Sequence, residues 1–149
     1  EPRAADILLQ ALRAVQPDMR LLLTHGTATG RQAGQKLLRE GDMQVWLPWD
    51  ERGAVQRFVQ TFRPRLGLIM ETEIWPQLLQ ACRQQGVRLI VSGLMNQPLD
   101  IARRTGLLTQ LTQNSADDVQ PDVGSAIDAA LAGLPAAPEG DEQMAYSGA

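Results

Sequence analysis

Residues 66–76 read L-G-L-I-M-E-T-E-I-W-P, and this stretch decides the fold. An apolar run without alternation stops at two glutamates, and a helix follows. Runs of this kind suit a parallel strand covered on both faces. Thr72 is placed to cap the helix, and Pro76 falls in its first turn, where a missing N–H costs little. Glu71 and Glu73 then stand at the carboxyl end of a strand beside a helix start. In open α/β sheets, ligands bind at that edge.

Working outward, the same unit repeats on both sides. Pro2 to Val15 carries Ala5, Leu8, Leu9, Leu12 and Val15 at helical spacing. Arg20–His25 (RLLLTH) reads as a short strand. G-T-A-T-G makes a loop, with Thr29 as a cap for a helix to about Glu40. Met43–Leu47 (MQVWL) is the next strand, followed by a Pro48-Trp49-Asp50 turn and a helix from Glu51 to Phe62. After the opening strand, a helix from Glu73 to about Gln85 ends at Gly86, and Val87–Val91 (VRLIV) is a fourth strand. The alternation predicts an α/β fold: a Rossmann-like parallel sheet with flanking helices. A crossover helix needs a strand before it, so one strand is expected ahead of Glu1. Pro98 to Gln113 is loosely periodic and predicts a further helix. The domain therefore runs over residues 1–113. Residues 114–149 read as an acidic, low-complexity, disordered tail, with a short amphipathic piece from Val123 to Leu131.

The composition supports one globular domain. The 149 residues are 44% hydrophobic, enough for a real core. The single cysteine, Cys82, excludes an internal disulfide and fits a reducing compartment. Residues 1–104 carry 14 Lys/Arg against 10 Asp/Glu, a net +4, and residues 105–149 carry 7 acidic residues and no basic ones, which gives the overall −3. The basic part suits an anionic substrate or membrane surface, or simply places arginines in solvent. No apolar run reaches the roughly 18 residues that span a bilayer.

Few residues can carry chemistry. Glu71 and Glu73 can serve as a general base or hold substrate hydroxyls, although Glu73 also merely suits a helix start. The loop His25-Gly26-Thr27-Ala28-Thr29-Gly30 lies between a strand and a helix, where backbone N–H groups can cradle a phosphate or carboxylate. It matches no established phosphate-loop pattern, so an ordinary turn is the alternative. With one histidine, a multi-histidine metal site is excluded and no serine triad can be assembled. Asp50 is placed to cap the helix that follows it. Trp46, Trp49 and Trp75 lie near strand ends, where they stack on a sugar face or pack on the rim. Cys82 reads as a buried structural thiol.

Four strings in order, E-P-R-A-A from Glu1, T-H-G-T-A-T-G from Thr24, L-P-W-D from Leu47 and M-E-T-E-I-W-P from Met70, resemble the 3-deoxy-D-manno-octulosonic acid (Kdo) transferases. The resemblance covers residues 1 to about 91, the amino-terminal, acceptor-side half of a GT-B glycosyltransferase, and fades by Gln113. It implies a metal-independent, inverting transfer of Kdo from CMP-Kdo to the lipid A precursor, with no cofactor and no nucleic-acid partner. Glu1 is similar in position to the family's general base, which closes an S-V-G-E loop. His25, Thr27, Thr29, Gly30, Glu71 and Glu73 become substrate-binding candidates.

The chain also departs from the pattern. Ser92-Gly93-Leu94-Met95-Asn96 stands where relatives carry N-A-R-L-S, so Leu94 replaces an arginine. The resemblance implies a carboxyl-terminal domain that binds most of CMP-Kdo and a membrane anchor, both expected outside residues 1–149. The resemblance implies a parent enzyme at the cytoplasmic face of the bacterial inner membrane and a soluble fragment inactive alone. A phospho-sugar or lipid-binding module and a non-functional truncated product are the alternatives.

Overall fold

A computed structural model describes residues 2–70, 75–92, 104, 106 and 119–133. Helix α1 (Pro2–Val15) leads to strand β1 (Leu22–His25), α2 (Ala28–Gly34) with a 3₁₀ turn at Gln35–Leu37, and β2 (Met43–Trp46). Then follow α3 (Arg52–Phe62), β3 (Leu66–Ile69), α4 (Pro76–Gln84), β4 (Arg88–Ser92), β5 (Val119–Gln120) and α5 (Val123–Gly133). Every strand pairing is parallel: β1 with β2, and β3 with β4 with β5. The α/β class and the alternation from α1 to β4 follow the sequence pattern closely. The sheet, however, is in two pieces, because among the described residues β1 and β3 share no pairing.

Alternation along the strands builds two apolar layers. Leu89 and Val91 of β4 turn to one face, where they join Val55 and Val59 of α3 and Leu78, Leu79, Ala81 and Cys82 of α4. Ile90 turns to the other face and meets Leu8 and Leu12 of α1 with Ala126 and Ala130 of α5. Leu66 and Leu68 of β3 pack on this second cluster. Gly67 is paired with Leu89, and a Cβ there would meet the Leu89 side chain, which fills that space. Cys82 is 3% exposed, and burial pushes its thiol up to about 11. It is a core residue, as its lone position within a helix suggests.

Within the stretch 114–149, residues 119–133 form a strand and a helix, and the amphipathic piece expected at Val123–Leu131 lies in α5. β5 extends the second sheet, and α5 lays Ala126 and Ala130 against α1 and β4. These small alanines, four residues apart, permit the close approach of a helix to a sheet. Asp122 starts α5: its Oδ1 accepts from the Ser125 N–H at 2.9 Å, and the Ser125 hydroxyl donates to Oδ2 at 3.0 Å. These bonds hold the Asp122 carboxyl below its usual range. The helix expected over Pro98–Gln113 falls outside the described residues except at 104 and 106.

Helix starts differ from the sequence pattern in two places. Thr27, not Thr29, caps α2: its extended backbone lets Oγ1 accept from the Gly30 N–H at 3.1 Å. The described part of α4 begins at Pro76 rather than Glu73, with Trp75 in the cap position in place of Thr72. A residue preceding proline is kept out of helical conformation, which fixes that boundary.

Asp42 ties α1 to the first sheet. Its carboxylate pairs with Arg13 of α1 and accepts from the Leu21 N–H at 3.0 Å and the Arg39 N–H at 2.7 Å. The Arg13 and Asp42 side chains are 9% and 4% exposed. Removing one partner leaves an uncompensated buried charge, which typically costs about 3–5 kcal/mol. Asp42→Ala is therefore expected to lower unfolding free energy by about 3 kcal/mol in urea titrations. A change under about 1 kcal/mol, the range of exposed pairs, contradicts the assignment.

Candidate active-site edge

The carboxyl ends of the strands carry the loops singled out by the sequence. His25 and Trp46 stand in register at the ends of β1 and β2. The L-P-W-D turn leaves β2 with the Leu47 N–H donating to the His25 carbonyl at 3.0 Å. Asp50 then reaches the start of α4, where Oδ1 accepts from the Leu78 N–H at 2.9 Å and Oδ2 from the Gln77 N–H at 3.2 Å. These are the second and third residues of α4, the N–H groups that a capping side chain ordinarily serves. Asp50 thus caps α4 and not the adjacent α3, whose cap residue Glu51 makes no side-chain cap bond. Trp75 occupies the cap position of α4 without a side-chain cap bond of its own. The carboxylate arrives instead from a loop 27 residues away.

His25 sits in a second small network. Gly34 of α2 makes room for it, since a Cβ there would lie 2.5 Å from the imidazole. Gln44 of β2 donates through Nε2 to the Arg31 carbonyl and to His25 Nε2, both at 2.7 Å. The Arg31 guanidinium lies over the Trp46 ring, 5.2 Å from its centroid, a favourable contact with the ring's negative face. Burial first, and the nearby Arg31 charge second, lower the His25 pKa from its ordinary 6.5. Both effects favour the neutral ring at physiological pH.

The candidate residues divide accordingly. His25, Thr27, Thr29 and Gly30 come together at the end of β1 and the start of α2. Thr27 Oγ1 and the Gly30 N–H are spent on each other as a helix cap, so this pair contributes structure first. Thr29 is exposed in the first turn. Glu1, Glu71 and Glu73 lie outside the described residues. Trp49 is 87% exposed and Trp46 53%, whereas Trp75 packs on the α3–α4 core. Arg31 Nη1, Trp75 Nε1 and Ser92 Oγ are buried polar atoms without a hydrogen-bond partner among the described residues. Gln44 and Arg31 escaped the sequence reading. Gln44 had one signal, a polar residue inside the M-Q-V-W strand; Arg31 had none beyond following the T-A-T-G loop.

These features define an α/β domain of parallel strands with its candidate residues at the strands' carboxyl ends. A family model described as 3-deoxy-D-manno-octulosonic-acid transferase (kdotransferase) matches residues 1–120. The chain belongs to that family. The match runs past Gln113, where the motif-level resemblance ends, and takes in β5. The chain is 49% identical over 92 residues to the 3-deoxy-D-manno-octulosonic acid transferase of Bordetella pertussis, with 58% of this chain and 21% of the relative aligned. It is 31% identical over 96 residues to a probable mitochondrial 3-deoxy-D-manno-octulosonic acid transferase of Arabidopsis thaliana, covering 64% of this chain and 21% of that one. The Haemophilus influenzae transferase is 26% identical over 89 residues, at 60% and 21% coverage. The chain thus spans about a fifth of the length of these relatives. No solved structure matches.

Two outcomes are expected. Asp50→Ala removes a charged cap from α4 and is expected to cost about 1–2 kcal/mol, with Asp50→Asn retaining part of it, in urea unfolding. Equal stability of all three proteins rules out the cap. For His25, the unfolded chain binds a proton more readily than the folded one. Its contribution to stability is therefore full above the unfolded pKa and is lost as pH falls through the folded pKa. An NMR titration of this sole histidine should give a midpoint below 6.5, and a midpoint above it contradicts the burial argument.

Proposed function

We propose that this chain supplies the acceptor-side part of a Kdo transferase, which moves Kdo from CMP-Kdo to the lipid A precursor. The observation that carries the reading is the family match over residues 1–120, which includes all four motif strings. Asp50 supports it by binding the L-P-W-D turn directly to the helix that follows M-E-T-E-I-W-P. The L-P-W-D turn is thereby held to the helix that opens with Pro76, the last residue of the other motif.

The mechanism follows GT-B logic: the reaction takes place in a cleft between this domain and a carboxyl-terminal domain that binds the donor. Glu1 is the general base. It takes the proton from a sugar hydroxyl of the acceptor as that oxygen attacks the anomeric carbon of Kdo and CMP leaves, so the anomeric configuration inverts. No metal or cofactor enters this scheme. Glu71 and Glu73 hold acceptor hydroxyls, and His25 and Thr29 bind the acceptor from the loop after β1. The doubly wound strand order 3-2-1-4-5-6 sets a strand preceding α1 between β1 and β3, and those two strands share no pairing. The parent enzyme works at the cytoplasmic face of the inner membrane, where the basic residues of this part favour anionic lipid. Among the described residues no helix is long and apolar enough to cross a membrane.

The test has two parts. The chain alone, given CMP-Kdo and a lipid A precursor, is expected to transfer no Kdo. A chimera in which this chain replaces the matching stretch of the Bordetella pertussis relative is expected to transfer it. Glu1→Gln in that chimera should lower the rate by about 100-fold or more, the usual scale for a general base. A folded chimera without transfer, or one indifferent to Glu1→Gln, overturns the assignment. Tight binding of the precursor by the chain alone, with an inactive chimera, favours a binding module instead.

A further inference from the structure

The Gln44 amide has only one orientation consistent with its neighbours. The atom 2.7 Å from the Arg31 carbonyl oxygen must be a donor, because a carbonyl only accepts. That atom is Nε2, and its second N–H points at His25 Nε2, also at 2.7 Å. His25 Nε2 therefore accepts, and in a neutral imidazole the proton then sits on Nδ1. Nδ1 faces the T-A-T-G turn: a Cβ added at Gly30 would lie 3.6 Å from it and 3.1 Å from Thr27 Oγ1. Thr27 Oγ1 accepts from the Gly30 N–H. No other hydrogen bond to the His25 ring is found among the described residues.

We propose that Gln44 is a positioning residue that locks His25 as its Nδ1–H tautomer, so that Nδ1 presents a neutral hydrogen-bond donor to an oxygen of the acceptor sugar. The ligand-facing half of this statement rests on the functional reading above; the tautomer does not. The chain of control runs from the main chain of α2, through one side chain of β2, to the end of β1. A rigid carbonyl sets an amide, and the amide sets a ring. A neutral donor suits a hydroxyl or ether oxygen because it adds direction without a charge that must be desolvated. Glutamate at position 44 offers only acceptor oxygens to the ring, which reverses the tautomer to Nε2–H and leaves Nδ1 as an acceptor. Leucine removes the constraint and leaves both tautomers populated.

Nitrogen-15 NMR of the imidazole tests the lock directly, since His25 is the sole histidine of the chain. With Nδ1 protonated in the unaltered chain, mixed in Gln44→Leu and reversed in Gln44→Glu, the lock stands. A predominantly Nε2–H ring in the unaltered chain, or the same tautomer in all three, overturns it. The ligand-facing half is read in the active chimera, where Gln44→Glu should lower kcat/KM about tenfold, mainly through KM for the acceptor. An unchanged kcat/KM in a variant whose tautomer has reversed overturns that half. An inactive chimera counts against the transferase reading, and with it the ligand-facing half, while the NMR result still decides the lock.

Discussion

The Asp50 carboxylate is the constraint on which the candidate edge depends. It leaves the L-P-W-D turn after β2 and accepts from the Gln77 and Leu78 N–H groups at the start of α4. A helix start carries free N–H donors and a partial positive charge, so a carboxylate there is favoured twice. Pro76 at the first position has no N–H to offer, which leaves the next two residues for Asp50. The β1–β2 pair and the β3–β4–β5 sheet share no strand pairing. This contact, together with the packing of Leu47 and Trp75 on one core cluster, joins their carboxyl-end loops.

That arrangement explains why the motif strings are spread so widely along the chain. L-P-W-D is needed as the anchor for the helix behind M-E-T-E-I-W-P. T-H-G-T-A-T-G forms the neighbouring edge through Thr27 and Gly30, with His25 set by Gln44. The buried core below these loops is ordinary: Val55, Val59, Leu79 and Ile90 are at most 2% exposed and fix the helices against the sheet.

Much of this was legible in the sequence. Helical spacing in α1 and unbroken apolar runs in β3 and β4 marked those elements to within a residue or two, because local period and burial agree there. Motif strings marked the family. Long-range hydrogen bonds were not legible. Nothing local to Asp50 distinguishes a cap for the next helix from a cap for a helix 27 positions on. Thr27 and Thr29 are both suitable caps by composition, and backbone conformation chose between them. The piece around Ala126 and Ala130 was legible as amphipathic, but its packing was not, because small residues signal close packing only once their partner surface is known. Gln44 was hidden for a similar reason: its role depends on a carbonyl of another element.

The central claim is that Asp50 holds the turn after β2 to the start of α4. Residue-resolved amide hydrogen exchange tests it most directly, comparing the chain with its Asp50→Ala variant. The account predicts that Gln77 and Leu78 are protected in the unaltered chain and exchange much faster in the variant. Amides deeper in the helix, such as those of Ala81 and Cys82, should change little. Equal exchange at Gln77 and Leu78 in the two proteins contradicts it.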